Sequence, residues 1–187
     1  MKSLHSHSLL LAWRVAEAEA KRLNAPELEP IHFLIGLCKA VSLDLPALVS
    51  KDAPDRNEIL EELLREVRRL RTIFRTAQVN PTPLRRNLRG KLLAGRFQMD
   101  NSETLHRNTA TKKVFADAEH FAQLAGGIVY PTHLLYAVLL SDDDRRDEVF
   151  KELGIDKPRL LEVTKREVVL QREDAPGATS RNKTRWN

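Results

Sequence analysis

Apolar residues recur along this chain in two kinds of pattern. Over residues 3–23, Leu9, Trp13, Ala16 and Ala20 fall three or four positions apart, which puts them on one face of a helix. From Pro30 the pattern changes. Ile31, Phe33, Leu34, Ile35, Leu37, Cys38 and Val41 leave no polar side, as expected of a helix buried all round. A short helix is predicted over 45–51. A longer amphipathic one follows, capped by Asp55, with Ile59, Leu60, Leu63, Leu64, Val67, Leu70 and Phe74 as its stripe.

The same order then returns. Val114, Phe115, Ala118, Ala122 and Leu124 make a stripe on a helix predicted over 105–125, which Gly126 and Gly127 end. Residues 134–140 are an unbroken apolar run, a short helix is predicted over 148–153, and Asp156 caps the last helix. Pro30 and Pro131 open the two apolar helices, because the first turn has no partner for the N–H that proline lacks.

The recurrence is residue-specific. With a shift of 101, Pro30, His32, Leu34, Asp55, Leu60, Glu61, Arg65, Glu66 and Val67 meet identical residues at Pro131, His133, Leu135, Asp156, Leu161, Glu162, Arg166, Glu167 and Val168. Upstream the shift is 102, and Trp13, Ala16, Glu17 and Ala20 meet Phe115, Ala118, Glu119 and Ala122. The one-residue change falls in a predicted loop. An internal repeat of this period means two copies of one helical unit.

Between the copies the composition shifts. Residues 65–96 carry ten basic side chains and one acid, Glu66, against a net charge of +5 for the whole 187-residue chain. Pro81 and Pro83 are read as breaking any helix there, leaving at most a short helical turn. The tail, 171–187, is polar with Pro and Gly and is expected to be disordered. No apolar run reaches the ~18 to 20 residues of a membrane span, and near the N-terminus Leu9–Trp13, interrupted by Arg14, is too short for the apolar core of a signal peptide, which points to a cytoplasmic protein.

Candidate chemistry is sparse. Cys38 is the single cysteine and sits in an apolar run, so it reads as a buried thiol, and a disulfide framework or multi-Cys zinc site is excluded. His32 and His133 have no Cys, Asp or Glu at metal-ligand spacing and read as helix-start residues bonded to nearby backbone. His5 and His7 read as a frayed helix start, and the acidic run of Asp142, Asp143 and Asp144 as a turn capping the next helix. No nucleophile elbow or metalloprotease motif occurs. No catalytic residue, metal or cofactor is assigned.

The doubled Pro-x-His-[Phe/Leu]-Leu (Pro30, His32, Phe33, Leu34 and Pro131, His133, Leu134, Leu135), with Ala16/Ala20 and Ala118/Ala122 in the preceding helices, resembles the Clp N-terminal domain. That domain is the tandem-repeat module at the front of the Clp/Hsp100 AAA+ unfoldases. The resemblance covers about residues 3–170 and is weakest in the basic segment. It implies an all-α fold of two pseudo-symmetric four-helix repeats joined by a basic linker: repeat one over 3–75, linker 76–104, repeat two over 105–170. It also implies a non-enzymatic module that binds a Clp/Hsp100 ATPase or Clp protease component, an adaptor or a client protein. No G-x-x-x-x-G-K-[ST] occurs, so the chain is read as a stand-alone N-domain without the ATPase. Many family members carry Glu just before each motif histidine, and in some that pair recognises phosphoarginine. Ile31 and Thr132 stand there instead, so that property is not carried over.

The expected contact surface is the groove between the repeats, with Trp13, Arg14 and Phe115 on the first helices and Arg85, Arg86 and Arg89 on the linker. The alternative is a nucleic-acid-binding protein using the Arg-rich stretch 65–96 for phosphate contacts. It is weakened by the few aromatics there, Phe74 and Phe97. If the second apolar helix is central, Leu135→Ala lowers stability by about 2–5 kcal/mol. A urea titration unchanged by that substitution would remove the assignment.

Overall fold

Two largely apolar helices, α2 (Pro30–Ala40) and α7 (Pro131–Leu140), lie against each other at the centre. The other helices cover them. The first repeat adds α1 (His7–Arg22), packed on α2, α4 (Arg56–Thr76), packed on α1 and across on α7, and α3 (Leu45–Leu48), packed on α4; the second adds α6 (Thr109–Gln123) and α9 (Lys157–Glu173), both packed on α7, and α8 (Asp144–Glu152). Between the sets lies α5 (Pro81–Leu93). The computed structural model describes residues 4–93, 105–124 and 126–173. Outside them fall the expected start of the first helix, residue 125, part of the linker with Arg96 and Phe97, and nearly all of the expected disordered tail.

The repeats are joined by exchanged backbone. Strand β1 (Leu4–His5), ahead of α1, pairs in parallel with β2 (Ile128–Val129), ahead of α7, and the Ser6 N–H donates to the Val129 carbonyl at 3.1 Å. In the mirror position Leu28, ahead of α2, pairs with Arg107, ahead of α6. Leu28 N–H donates to His106 O at 2.8 Å, and Asn108 N–H donates to Leu28 O at 3.1 Å. Each repeat thus supplies the arm that the other repeat's loop needs. Helix starts follow the same symmetry: Ser6 Oγ accepts from Leu9 N–H at 3.1 Å, and Asn108 Oδ1 from Thr111 N–H at 2.8 Å.

One expectation fails outright: Pro81 and Pro83 do not break a helix. They lie in the first turn of α5, where a missing N–H removes no intrahelical bond. Leu84 and Leu88, one turn apart, are fully buried in the main core, and α5 packs on α2 and α8. Half of the supposed linker is therefore a structural helix.

Smaller corrections have local causes. Leu64 and Leu124 are 41% and 53% exposed and do not belong to the buried stripes. Asp55 sits at the start of α4 without a side-chain cap bond, whereas Asp156 Oδ1 accepts from Arg159 N–H at 3.0 Å. The third helix is shorter than expected in repeat one. Its counterpart α8 starts earlier, because Asp143 Oδ1 accepts from Arg146 N–H at 3.1 Å. Gln171, assigned to the tail, is buried in α9. Gly126 (φ 95°) and Gly127 (φ 87°) make the left-handed turn after α6 as expected.

Gly36 lets α1 and α2 meet. A Cβ there would lie 2.8 Å from the Ala12 carbonyl oxygen and 3.2 Å from the Ala16 nitrogen, both backbone. Its counterpart in the repeat is Ala137, so the second pair of helices tolerates the methyl that the first excludes. Gly36→Ala is expected to destabilise by about 1–3 kcal/mol despite its better helix propensity. A denaturation midpoint equal to or above that of the parent would show that α1 and α2 are further apart.

Candidate partner-binding surface

The motif histidines are fully buried, so no partner reaches them. Each sits three residues after the helix N-cap and bonds back to it. The Glu29 N–H donates to His32 Nδ1 at 3.0 Å, and the Tyr130 N–H donates to His133 Nδ1 at 3.0 Å. An accepting Nδ1 places the proton of the neutral ring on Nε2. Both Nε2 atoms are buried without a hydrogen-bond partner among the described residues. Burial holds both imidazoles down, to about 4 from an ordinary 6.5. At His32, Glu29 and Arg145 act in opposite directions and leave burial dominant.

The six proposed contact residues divide by environment. Trp13 (α1), Phe33 (α2) and Phe115 (α6) form a triangle of edge-on rings, with centroids 4.9 Å apart for Trp13–Phe115, 5.0 Å for Phe33–Phe115 and 5.5 Å for Trp13–Phe33. Trp13 and Phe115 are repeat counterparts, and they touch where a pseudo-twofold axis would place them. Phe115 is buried at 1% exposure, so it supports the cluster and presents nothing to a partner. Trp13 is half-buried, and the Arg107 guanidinium lies over its ring at 5.1 Å and over Phe115 at 5.3 Å. Arg14 is exposed one residue on. On α5, Arg86 is exposed and Arg85 half-buried, while Arg89 is occupied: its Nε donates to Glu19 Oε2 at 2.7 Å, and its second nitrogen binds Glu19 Oε1. The structure therefore does not bring the six together as one open surface.

Several organising residues carried no recognisable signal in the sequence. Glu19, buried on α1, accepts from Arg89 of α5 and Lys39 of α2. Burial would raise its pKa, but those two cations hold it below the usual carboxylate range. Glu62 of α4 reaches the start of α1, accepting from Ser8 N–H and Ser8 Oγ at 3.0 Å and meeting His7 Nδ1 at 2.8 Å. His7 is thus anchored, contrary to the frayed start expected. Arg146, 1% exposed, donates to the Ser141 carbonyl at 2.8 Å and to the Val138 carbonyl, closing the C-terminal end of α7.

The residues just before each motif histidine, Ile31 and Thr132, face inward. Ile31 is buried, and Thr132 Oγ1 bonds Gln171, whose amide donates to the buried Glu66 at 2.8 Å. Burial raises Glu66, opposed by Arg69 and Arg65. Cys38 is buried too, and burial pushes its thiol up to about 12, against a small opposing effect of Arg85. Such a thiol is a poor nucleophile. Among the described residues, no group of three or more His, Cys, Asp or Glu side chains could hold a metal ion, and no helix is long and apolar enough to cross a membrane.

Solved structures share this architecture. The Hsp104 N-terminal domain from Candida albicans superposes with a TM-score of 0.65 at 18% identity, over 95% of this chain and 99% of that one. The chain has the fold of a Clp N-terminal domain. A chain from structural investigations of a malarial protein secretion system matches with a TM-score of 0.61 at 21% identity, over 89% of this chain and 95% of that one. No family model matches the sequence, and no curated protein does.

Burial of neutral histidines has a pH consequence. Their folded pKa lies below the unfolded value, so their full stabilisation is present above about pH 6.5. It is lost as pH falls toward 4, by about 3 kcal/mol per histidine. Urea midpoints at pH 7.5 and 4.5 measure this. The His32→Gln/His133→Gln variant, which keeps an acceptor but cannot titrate, is expected to show a flatter profile. An equally steep profile in that variant would assign the acid sensitivity elsewhere.

Proposed function

We propose that the protein is a non-enzymatic protein-interaction module of the Clp N-domain type. It docks on a Clp/Hsp100 ATPase or Clp protease component, or captures an adaptor or client for one, in the cytoplasm. The observation that carries this reading is the tandem-repeat fold itself, shared along nearly the whole chain with the Hsp104 N-terminal domain. The absence of a phosphate-cradling loop agrees with a module that recruits rather than unfolds. The two motif histidines, buried and bonded to backbone, are structural in this account.

The contact residues we favour are the half-buried Trp13, beneath Arg107, and the exposed Arg14 and Arg86. Affinity purification from the native cytoplasm is expected to enrich a Clp subunit. Arg14→Glu with Arg86→Glu is expected to weaken that recovery by roughly fivefold, about 1 kcal/mol, without changing the melting temperature. His133→Ala is expected to reduce stability more than recovery. Enrichment of no Clp subunit and no shared client would count against the module, and loss of recovery in a stable His133→Ala protein would move the site to the motif.

A further inference from the structure

The C-terminal end of α4 and the turn into α5 border an open, shallow pocket of about 370 Å³. Its lining is divided. Val41, Phe74, Val79 and Pro81 are its apolar lining, and Arg71, Arg75, Gln78 and Asn80 its polar lining, with no carboxylate among the described lining residues. Arg71 is fixed there, because its Nε donates to the Val41 carbonyl at 2.9 Å. Arg68, Arg71 and Arg75 are spaced three and four residues apart, so they share one face of α4, and all three are exposed. Among the described residues none of the three is paired with a carboxylate.

A helix C-terminus carries partial negative charge and would oppose an anion here. That opposition is answered by Arg159 of α9, which donates to the Thr76 carbonyl at 2.8 Å and to Gln78 Oε1 at 3.0 Å. The row is therefore cationic along its length, about 10 Å from Arg68 to Arg75. An extended segment of about four residues spans the same distance.

The rest of the basic stretch is not available in this way. Arg65 and Arg69 meet Glu66, Arg69 also meets Glu167, Arg89 meets Glu19, and Lys91 meets Glu148 and Glu152. These pairs interrupt the continuous cationic track that a nucleic-acid backbone would follow. Phe74 reaches the pocket lining but is 1% exposed, too little open ring for a base to stack on. What remains is a short row of guanidinium forks beside an apolar hollow, which matches carboxylates flanking an apolar side chain.

We propose that this pocket docks an acidic segment of a partner protein, with an aliphatic side chain against its apolar lining and the adjoining carboxylates on Arg71 and Arg75. The proposal deepens the protein-interaction reading and rests on it. Fluorescence anisotropy of the full chain with labelled Gly-Glu-Glu-Leu-Glu-Glu-Gly tests it, alongside the same peptide with Gln for every Glu and a labelled single-stranded 15-mer DNA.

The acidic peptide is expected to bind at least tenfold more tightly than its Gln form, and more tightly than the DNA. Arg75→Glu, at an exposed and unpaired position, is expected to weaken it at least tenfold with the melting temperature unchanged. Arg86→Glu is expected to leave it alone. Arg71→Gln is a second variant, checked for folding because it loses the Val41 bond. Equal binding of the Gln peptide, or indifference to Arg75→Glu, overturns the proposal. DNA binding tighter than the peptide and abolished by Arg75→Glu overturns it in favour of phosphate. Recovery of a Clp subunit alongside peptide binding indifferent to Arg75→Glu removes only the pocket. No Clp recovery alongside the expected peptide profile removes only the Clp partner.

Discussion

A helix that begins inside a core must find partners for backbone N–H groups that water cannot reach. This fold has two such helices, α2 and α7, and everything else is arranged around their burial. Proline at the first position removes one donor from the problem. Histidine three residues after the N-cap takes another, by turning Nδ1 back to the N-cap N–H of Glu29 or Tyr130. The choice fixes the tautomer and excludes the charged ring, because an imidazolium would present a donor where an acceptor is required. A residue type that often signals catalysis is here held neutral, buried and committed.

Placing both helices at the centre then constrains how the repeats can meet. The loops leading into α2 and α7 each accept an arm from the opposite repeat, through β1 on β2 and Leu28 on Arg107. The counterparts Trp13 and Phe115 meet on the same axis. The symmetry is imperfect in ways that matter. Gly36 brings α1 closer to α2 than a methyl would allow, α5 covers α2 and α8, and Thr132 joins a buried chain with Gln171 and Glu66 that Ile31 cannot make. A polar network thus runs from the start of α7 to Glu66 of the first repeat, where the start of α2 carries only hydrocarbon at Ile31.

How much of this was legible in the sequence follows from range of interaction. Helix identity, the two apolar helices, the caps at Asp143 and Asp156 and the backbone role of His32 and His133 all depend on residues within about four positions of each other. Periodicity and turn chemistry report them directly. Helix α5 is hidden by its own prolines, because Pro81 and Pro83 read as breakers unless they fall in a first turn, as they do here. Leu84 and Leu88, four apart, were the available signal. Phe115 and Trp13 were both visible as aromatic, but which one faces solvent is decided by the packing of three helices. Charge was the least legible property. The stretch 65–96 has one internal acid, yet Glu19, Glu148, Glu152 and Glu167 arrive from other helices and neutralise Arg89, Lys91 and Arg69. The functional reading moves accordingly, from a basic strip to a few unpaired arginines and the edge of one tryptophan.

The central claim is that the repeated histidines are neutral structural acceptors at buried helix starts. Imidazole ¹⁵N chemical shifts, followed through a pH titration of the folded protein, test it most directly. The account predicts that both His32 and His133 carry the proton on Nε2 at pH 7, with an unprotonated Nδ1, and that neither titrates until pH approaches about 4. A proton on Nδ1 at neutral pH, or titration near 6.5 in the folded state, would contradict it and reopen both histidines to chemistry.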